Sequence, residues 1–242
     1  ETEPKQFAAL SEEQLLGLKS DQISKLAPAV ISTLTDSQFS AVSMIGLSSL
    51  SEMQIAALSI KHIAAISADA ISSLADQFIA RLSAKQLQAF EADQITEMTA
   101  SQFGALVDAR KFASLSPEQI SAIDPGALSE LSPLAIQKLG PTQIAALNED
   151  QISVLSPQQF AKIDTADIKA MSVSQIGVLS EDQIEVLSVA QWRALDIPDI
   201  AALSPDVVPF LSLDIMKAMS SKQWSAFDTD QLNRLTLSLI HI

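Results

Sequence analysis

The sequence predicts an all-α solenoid, a superhelix of very short capped helices with one helix to every eight residues. Three observations carry this. Paired large apolar residues recur every eight positions, split into intervals of three and five. A Ser, Thr or Asp opens most octads and Gln follows three places later, and proline gathers at the residue directly after the opening one.

The apolar pairs begin with Phe7 and Leu10, Leu15 and Leu18, Ile23 and Leu26, and keep step to Phe103 and Leu106. The block "VDARKFASL" (residues 107–115) then holds nine residues, after which the octad resumes with Ile120 and Ile123 and runs to Leu232 and Leu235. One long helix is excluded, because eight residues advance about 800° and an apolar stripe would rotate by about 80° per octad. Odd intervals also exclude a single strand face, where side chains alternate with a period of two.

A short helix restarting in each octad satisfies both intervals. In "SEDQIEVL", Ser180 is the N-cap and Gln183 occupies N3, so the two can satisfy each other's free backbone donors in a capping box. Ile184 is then N4 and Leu179 is N′, the pair that forms a hydrophobic staple. The interval of five is staple spacing and the interval of three joins two residues on one helical face. In this frame Ser180, Gln183, Ile184 and Leu187 hold octad positions one, four, five and eight.

Eight of the ten prolines (Pro4, Pro28, Pro117, Pro125, Pro133, Pro141, Pro157 and Pro205) fall at the predicted N1, where a missing N–H costs nothing. Pro198 is one place later, and only Pro209 lies deep in an octad. With six glycines in 242 residues, the chain turns through caps and not through glycine loops. Burying two large side chains contributes about 3–6 kcal/mol, whereas ordering eight residues costs about 8–16 kcal/mol in backbone entropy. A lone octad cannot fold, so stability must come from neighbours stacked on a continuous core.

A longer beat underlies the octad. Asp164, Asp196 and Asp228 replace the usual cap at intervals of 32, as Phe160, Trp192 and Trp224 do at N4, and Phe7, Phe39 and Phe103 lie at 32 and 64. This predicts a superhelical turn of about four helices; the competing reading is duplication of a 32-residue block without geometric meaning. Residues 1–242 are expected to form a single octad-repeat domain, with a bulged turn or small kink near Val107 to Lys111 where the register slips within 107–115. The C-terminal end, 236–242, is irregular: "TLSLIHI" drops the Gln and reads as a degenerate end cap or as a tail foreign to the repeat.

Composition narrows the function classes. With 29 acidic against 15 basic residues the net charge is −14, which repels a phosphate backbone, and no basic cluster offsets it. Nucleic-acid binding is not expected. Cysteine is absent, removing disulfides, thiol chemistry and Cys-based zinc sites. No apolar run approaches the roughly 20 residues a bilayer requires, so membrane insertion is not expected. The opening "ETEPKQFAAL" has no initiator Met, no basic patch and no signal-peptide apolar stretch, so a segment of a longer or processed chain is expected.

Units such as "SEMQIAAL", "GPTQIAAL" and "SPEQISAI" resemble the tandem octads S/T-x-x-Q-I-x-A-L of very large bacterial exoproteins associated with adhesion or haem utilisation. Shorter runs such as "LSPEQI" are similar to parts of the mesothelin and stereocilin group of superhelical cell-surface proteins. Both resemblances imply helical superstructure outside the cell, and neither supplies a catalytic residue.

Side chains with chemical potential are few. His62 stands at N3 in place of Gln, which suits capping, while His241 lies in the irregular tail; a zinc or haem site lacks ligands. The serines are accounted for as caps, and Asp and Glu gather at caps and first turns, where the helix dipole favours them. Trp192 and Trp224 occupy the core position held elsewhere by Ile, against the reading of a ligand platform. Gln at N3 is explained by capping, with an interlocking ladder between turns as the further reading. Arg110 and Lys111 are the only adjacent basic pair, at a solvated turn or a partner contact. No catalytic, metal or cofactor residue is assigned, and no cofactor is expected. The expected function is non-enzymatic: a stalk, spacer or adhesive scaffold of a secreted or cell-surface protein. The alternative is a solenoid interaction module that takes a peptide, protein or other extended cell-surface ligand in its groove.

Overall fold

A computed structural model describes residues 4–7, 9–106 and 108–239; Val107 and His241 lie outside the described residues. Among these residues the chain is all helical, in short helices mostly of four to six residues that recur with the octad. It divides into two compact units, Glu1–Ala127 and Leu128–Ile242. Within each, a helix packs on the helix three octads away. In the first unit Glu12–Leu16 meets Asp36–Gly46; in the second Pro141–Ala146 meets Thr165–Ala170, which meets Val189–Ala194.

The caps are where the spacing places them. Ser11, Thr35, Ser51, Ser83, Thr99, Ser116, Ser156, Ser172, Ser180, Ser188 and Ser220 each accept from the N3 backbone N–H, while the N3 Gln accepts from the cap's own N–H. Glycine is not needed to turn the chain, since no residue described has positive φ. Seven of the eight N1 prolines open a helix. Pro205 does not: its octad carries Pro209 as well, whose missing N–H and fixed φ turn the segment into a 3₁₀ helix, Val208–Phe210.

Two other octads depart from the rule of one helix each. The helix Asp36–Gly46 runs through Ser43, the expected next cap, before a 3₁₀ turn at Leu47–Ser49. Position four of that octad is Gly46, which has no side chain to complete a capping box. Gly46 also lies close to the octad three before its own: a Cβ there would come within 3.1 Å of the Ser20 Cβ. At the other end the last helix, Thr229–Leu239, continues into 236–239, the segment read as irregular.

The core is one residue pair per octad. From Ile31 to Leu211 every side chain at positions five and eight is buried. The ends reveal which way each faces. Position eight is only half-buried in the first octads (Leu10, Leu18, Leu26), whereas position five loses cover in the last ones (Met216, Trp224, Leu232). Position eight therefore packs toward the preceding turn and position five toward the following one. We predict that Ile184→Ala, emptying a fully buried N4 site, lowers stability in urea unfolding by about 2–5 kcal/mol. Glu185→Ala, on the exposed face one residue on, changes it by less than about 0.5 kcal/mol.

Candidate functional site

The feature that organises these units is a ladder of glutamine carboxamides. In each complete rung the Gln Oε1 accepts from the N-cap backbone of its own octad, and Nε2 donates to backbone carbonyls four octads earlier. Gln183, fully buried, accepts from Ser180 N at 3.0 Å and donates to Ile152 O at 2.8 Å and Leu155 O at 2.9 Å. The same geometry recurs at Gln54 (Ile23, Leu26), Gln86 (Ile55, Leu58), Gln102 (Ile71, Leu74), Gln175 (Ile144, Leu147) and Gln231 (Ile200, Leu203).

The acceptors are the position-five and position-eight carbonyls, at and just past the end of a short helix, with an added longer contact to position six at Gln94 and Gln159. One side chain thus closes the start of its own helix and the end of another. Helices touch three octads away while their amides reach four octads back, so a turn closes between three and four octads. That agrees with the turn of about four read from the 32-residue beat.

The register slip is written into the ladder. Elsewhere a rung spans 31 and 28 residues; Gln119, beyond the nine-residue block, spans 32 and 29 to reach Leu87 and Phe90. The extra residue changes the count and not the pairing. Asp108 sits in a bend, and the helix Ala109–Phe112 puts Lys111 at position four. Its ammonium donates to Ala80 O at 2.8 Å. Of the two adjacent basic residues, Lys111 thus serves the stack while Arg110 faces solvent.

His62 is a second substitute, 3% exposed. Ser59 N donates to its Nδ1 at 3.3 Å, which leaves Nε2 to carry the proton that goes to Leu34 O at 2.9 Å. The neutral ring therefore mimics Gln in both roles, and it stacks on Phe39 at 4.7 Å between centroids. Trp192 is fully buried and Trp224 half-buried, both beside Phe227.

Two rungs are acidic. Asp167 and Asp199 occupy position four, 2% and 7% exposed, each paired with an aspartate cap. Asp167 N donates to Asp164 Oδ1 at 2.9 Å and Asp164 N to Asp167 Oδ2 at 3.4 Å; Asp199 N donates to Asp196 Oδ1 at 3.1 Å and Asp196 N to Asp199 Oδ2 at 2.9 Å. Burial, aided by the Asp164 charge, pushes the Asp167 carboxyl up to about 6. Burial also raises Asp199, with the Asp196 charge adding to it. The sequence reading of position four, capping with a Gln ladder as its further reading, does not single these aspartates out; the signal is an acid where Gln is the rule.

Surface depressions are shallow. One is lined by Glu12, Leu16, Asp36, Ser37, Ser40 and Ala41; another holds the exposed ion pair Arg234–Asp206 at 2.9 Å. Among the described residues no three His, Asp or Glu side chains are grouped to hold a metal, and no helix is long and apolar enough to cross a membrane.

A family model described as the ALTTAQ repeat matches residues 160–197, a span that contains four whole octads, both acidic rungs and Trp192. No curated protein matches the chain. The match supports a repeat-containing protein. It joins a geometry in which buried Gln side chains, His62 and Lys111 each link two turns.

Two substitutions probe the ladder. Gln183→Glu keeps the cap acceptor but replaces the donor by a buried charge facing carbonyls; it is expected to cost about 2 kcal/mol or more at pH 7, measured by urea unfolding. His62→Gln should retain wild-type stability within about 1 kcal/mol, whereas His62→Ala, which leaves both partners unsatisfied, should lose about 2 kcal/mol or more.

Proposed function

We propose that this chain is a non-enzymatic structural segment, a stalk, spacer or adhesive scaffold of a secreted or cell-surface protein. One observation carries the reading: the polar side chains at the repeated positions are absorbed by the fold itself. Caps take the Ser and Thr, the ladder takes the Gln, and most remaining ionisable groups stand on the exposed face. Such a unit gains length by adding octads without a new kind of contact, as solenoids do. An acidic exterior discourages self-association and nucleic-acid binding. The extracellular setting is supported by the resemblance of the octads to bacterial exoprotein repeats.

The runner-up is an interaction module, favoured by apolar N1 side chains left in water in the second unit: Val173, Ile197 and Leu213 are 48%, 46% and 49% exposed.

A module insertion tests the spacer reading. A second copy of residues 164–195 placed after Leu195 preserves every rung, so it should fold, adding four octads' worth of helical circular dichroism and of protected backbone amides. An added segment that behaves as coil would contradict the reading. Specific capture of a peptide, protein or glycan that is lost in a V173S/I197S/L213S variant would replace it by the interaction module.

A further inference from the structure

We propose that the two Asp-x-x-Asp caps, Asp164 with Asp167 and Asp196 with Asp199, each hold one proton between their carboxyls and make this stretch of the solenoid an acid-strengthened clamp.

The argument begins with the two partners of an ordinary rung. In Ser180–Gln183 a hydroxyl meets a carboxamide, and neither is charged. In Asp164–Asp167 and Asp196–Asp199 two carboxyls meet at one helix start, each accepting from the other's backbone N–H. Two ionised carboxylates cannot share so small a space without mutual repulsion, and one of each pair is also removed from water. The cap members Asp164 and Asp196 are exposed, and the helix start favours their negative charge. The inner members Asp167 and Asp199 are the buried ones, so they keep the proton.

Their place in the ladder adds a second reason. The spacing of 31 and 28 residues assigns Ile136 and Leu139 to position 167, and Ile168 and Met171 to position 199. These are carbonyl acceptors, to which a Gln would donate. A carboxylate has nothing to donate in that role, whereas a carboxylic acid has one O–H. Two successive rungs of one column therefore work better protonated.

No cation cancels the effect. The helix Thr165–Ala170 packs against Pro141–Ala146, which has no titratable side chain, and against Val189–Ala194, which carries Arg193. The helix Ile197–Ala202 packs against Val173–Gly177, which has none, and Ser221–Trp224, which carries Lys222. Lys169 on the first helix and Lys138 one turn earlier complete the set. All four cations are exposed, and among the described residues none makes an ion pair with either aspartate.

The sign follows from linkage. A carboxyl that titrates higher in the folded than in the unfolded chain binds its proton more tightly when folded. Its stabilisation is full below the unfolded value near 4 and is lost as pH rises through about 6, the value to which Asp167 is raised. For each such carboxyl, the folding constant falls by up to about tenfold per pH unit across that window.

The test is a side-chain carboxyl ¹³C titration of the whole 242-residue chain, with urea unfolding of wild type and D167N/D199N from pH 4 to pH 8. We expect two aspartate resonances with midpoints at least about one unit above the usual 3.9, both absent from the variant. Subtracting the variant's stability profile should leave a wild-type folding constant that drops more than about tenfold between pH 4 and pH 7. All aspartates titrating near 4, or a variant with an unchanged profile, would overturn the proposal. The wild-type titration decides it even where the variant fails to fold.

Discussion

The structure depends on one side chain doing two jobs at one place. A helix of four to six residues leaves nearly all its first N–H and last C=O groups without intrahelical partners, and a fold made of such helices accumulates that cost at every octad. The Gln carboxamide answers it from both sides: the oxygen accepts at its own helix start, and the nitrogen donates to helix ends in another octad. Glu would complete the cap equally well but could not donate. The chemistry of the second partner, and not helix capping, selects the amide.

That constraint explains what varies. Where position four is apolar or small, as at Val30, Ala70 and Val207, the rung is omitted and stability rests on the buried pair at positions five and eight. Where another polar group stands in, it meets the same demand by other means: His62 with two ring nitrogens, Lys111 with an ammonium reaching one carbonyl further along. The extra residue in the block 107–115 is absorbed because rungs recognise carbonyls and not sequence distance; Gln119 simply spans one residue more.

Much of this was legible in the sequence because it repeats. Intervals of three and five, the S-x-x-Q box and the prolines at N1 place caps and core with no knowledge of tertiary structure, since all three are local to one octad. Gln is legible there as a capping residue, with an interlocking ladder between turns as its further reading; the structure bears the ladder out, but its carbonyl partners belong to another turn, which no local pattern displays. The helix running through Ser43 was missed because a Ser at the cap position marks a restart in the local pattern. Asp167 and Asp199 were overlooked for a related reason: an acid at N3 suits a capping box, and its burial depends on turns that lie 24 to 32 residues away.

Carboxamide exchange measures the central claim directly. Gln54, Gln183 and Gln231 donate across turns, whereas Gln14 and Gln22, in the first turn, are exposed and serve only their own caps. In a residue-resolved hydrogen-exchange experiment the Nε2 protons of the first three should be protected to the level of core backbone amides, and those of Gln14 and Gln22 should exchange like a free amide. Equal, rapid exchange at all five would show that the turns are held by apolar packing alone, and that the ladder does not exist.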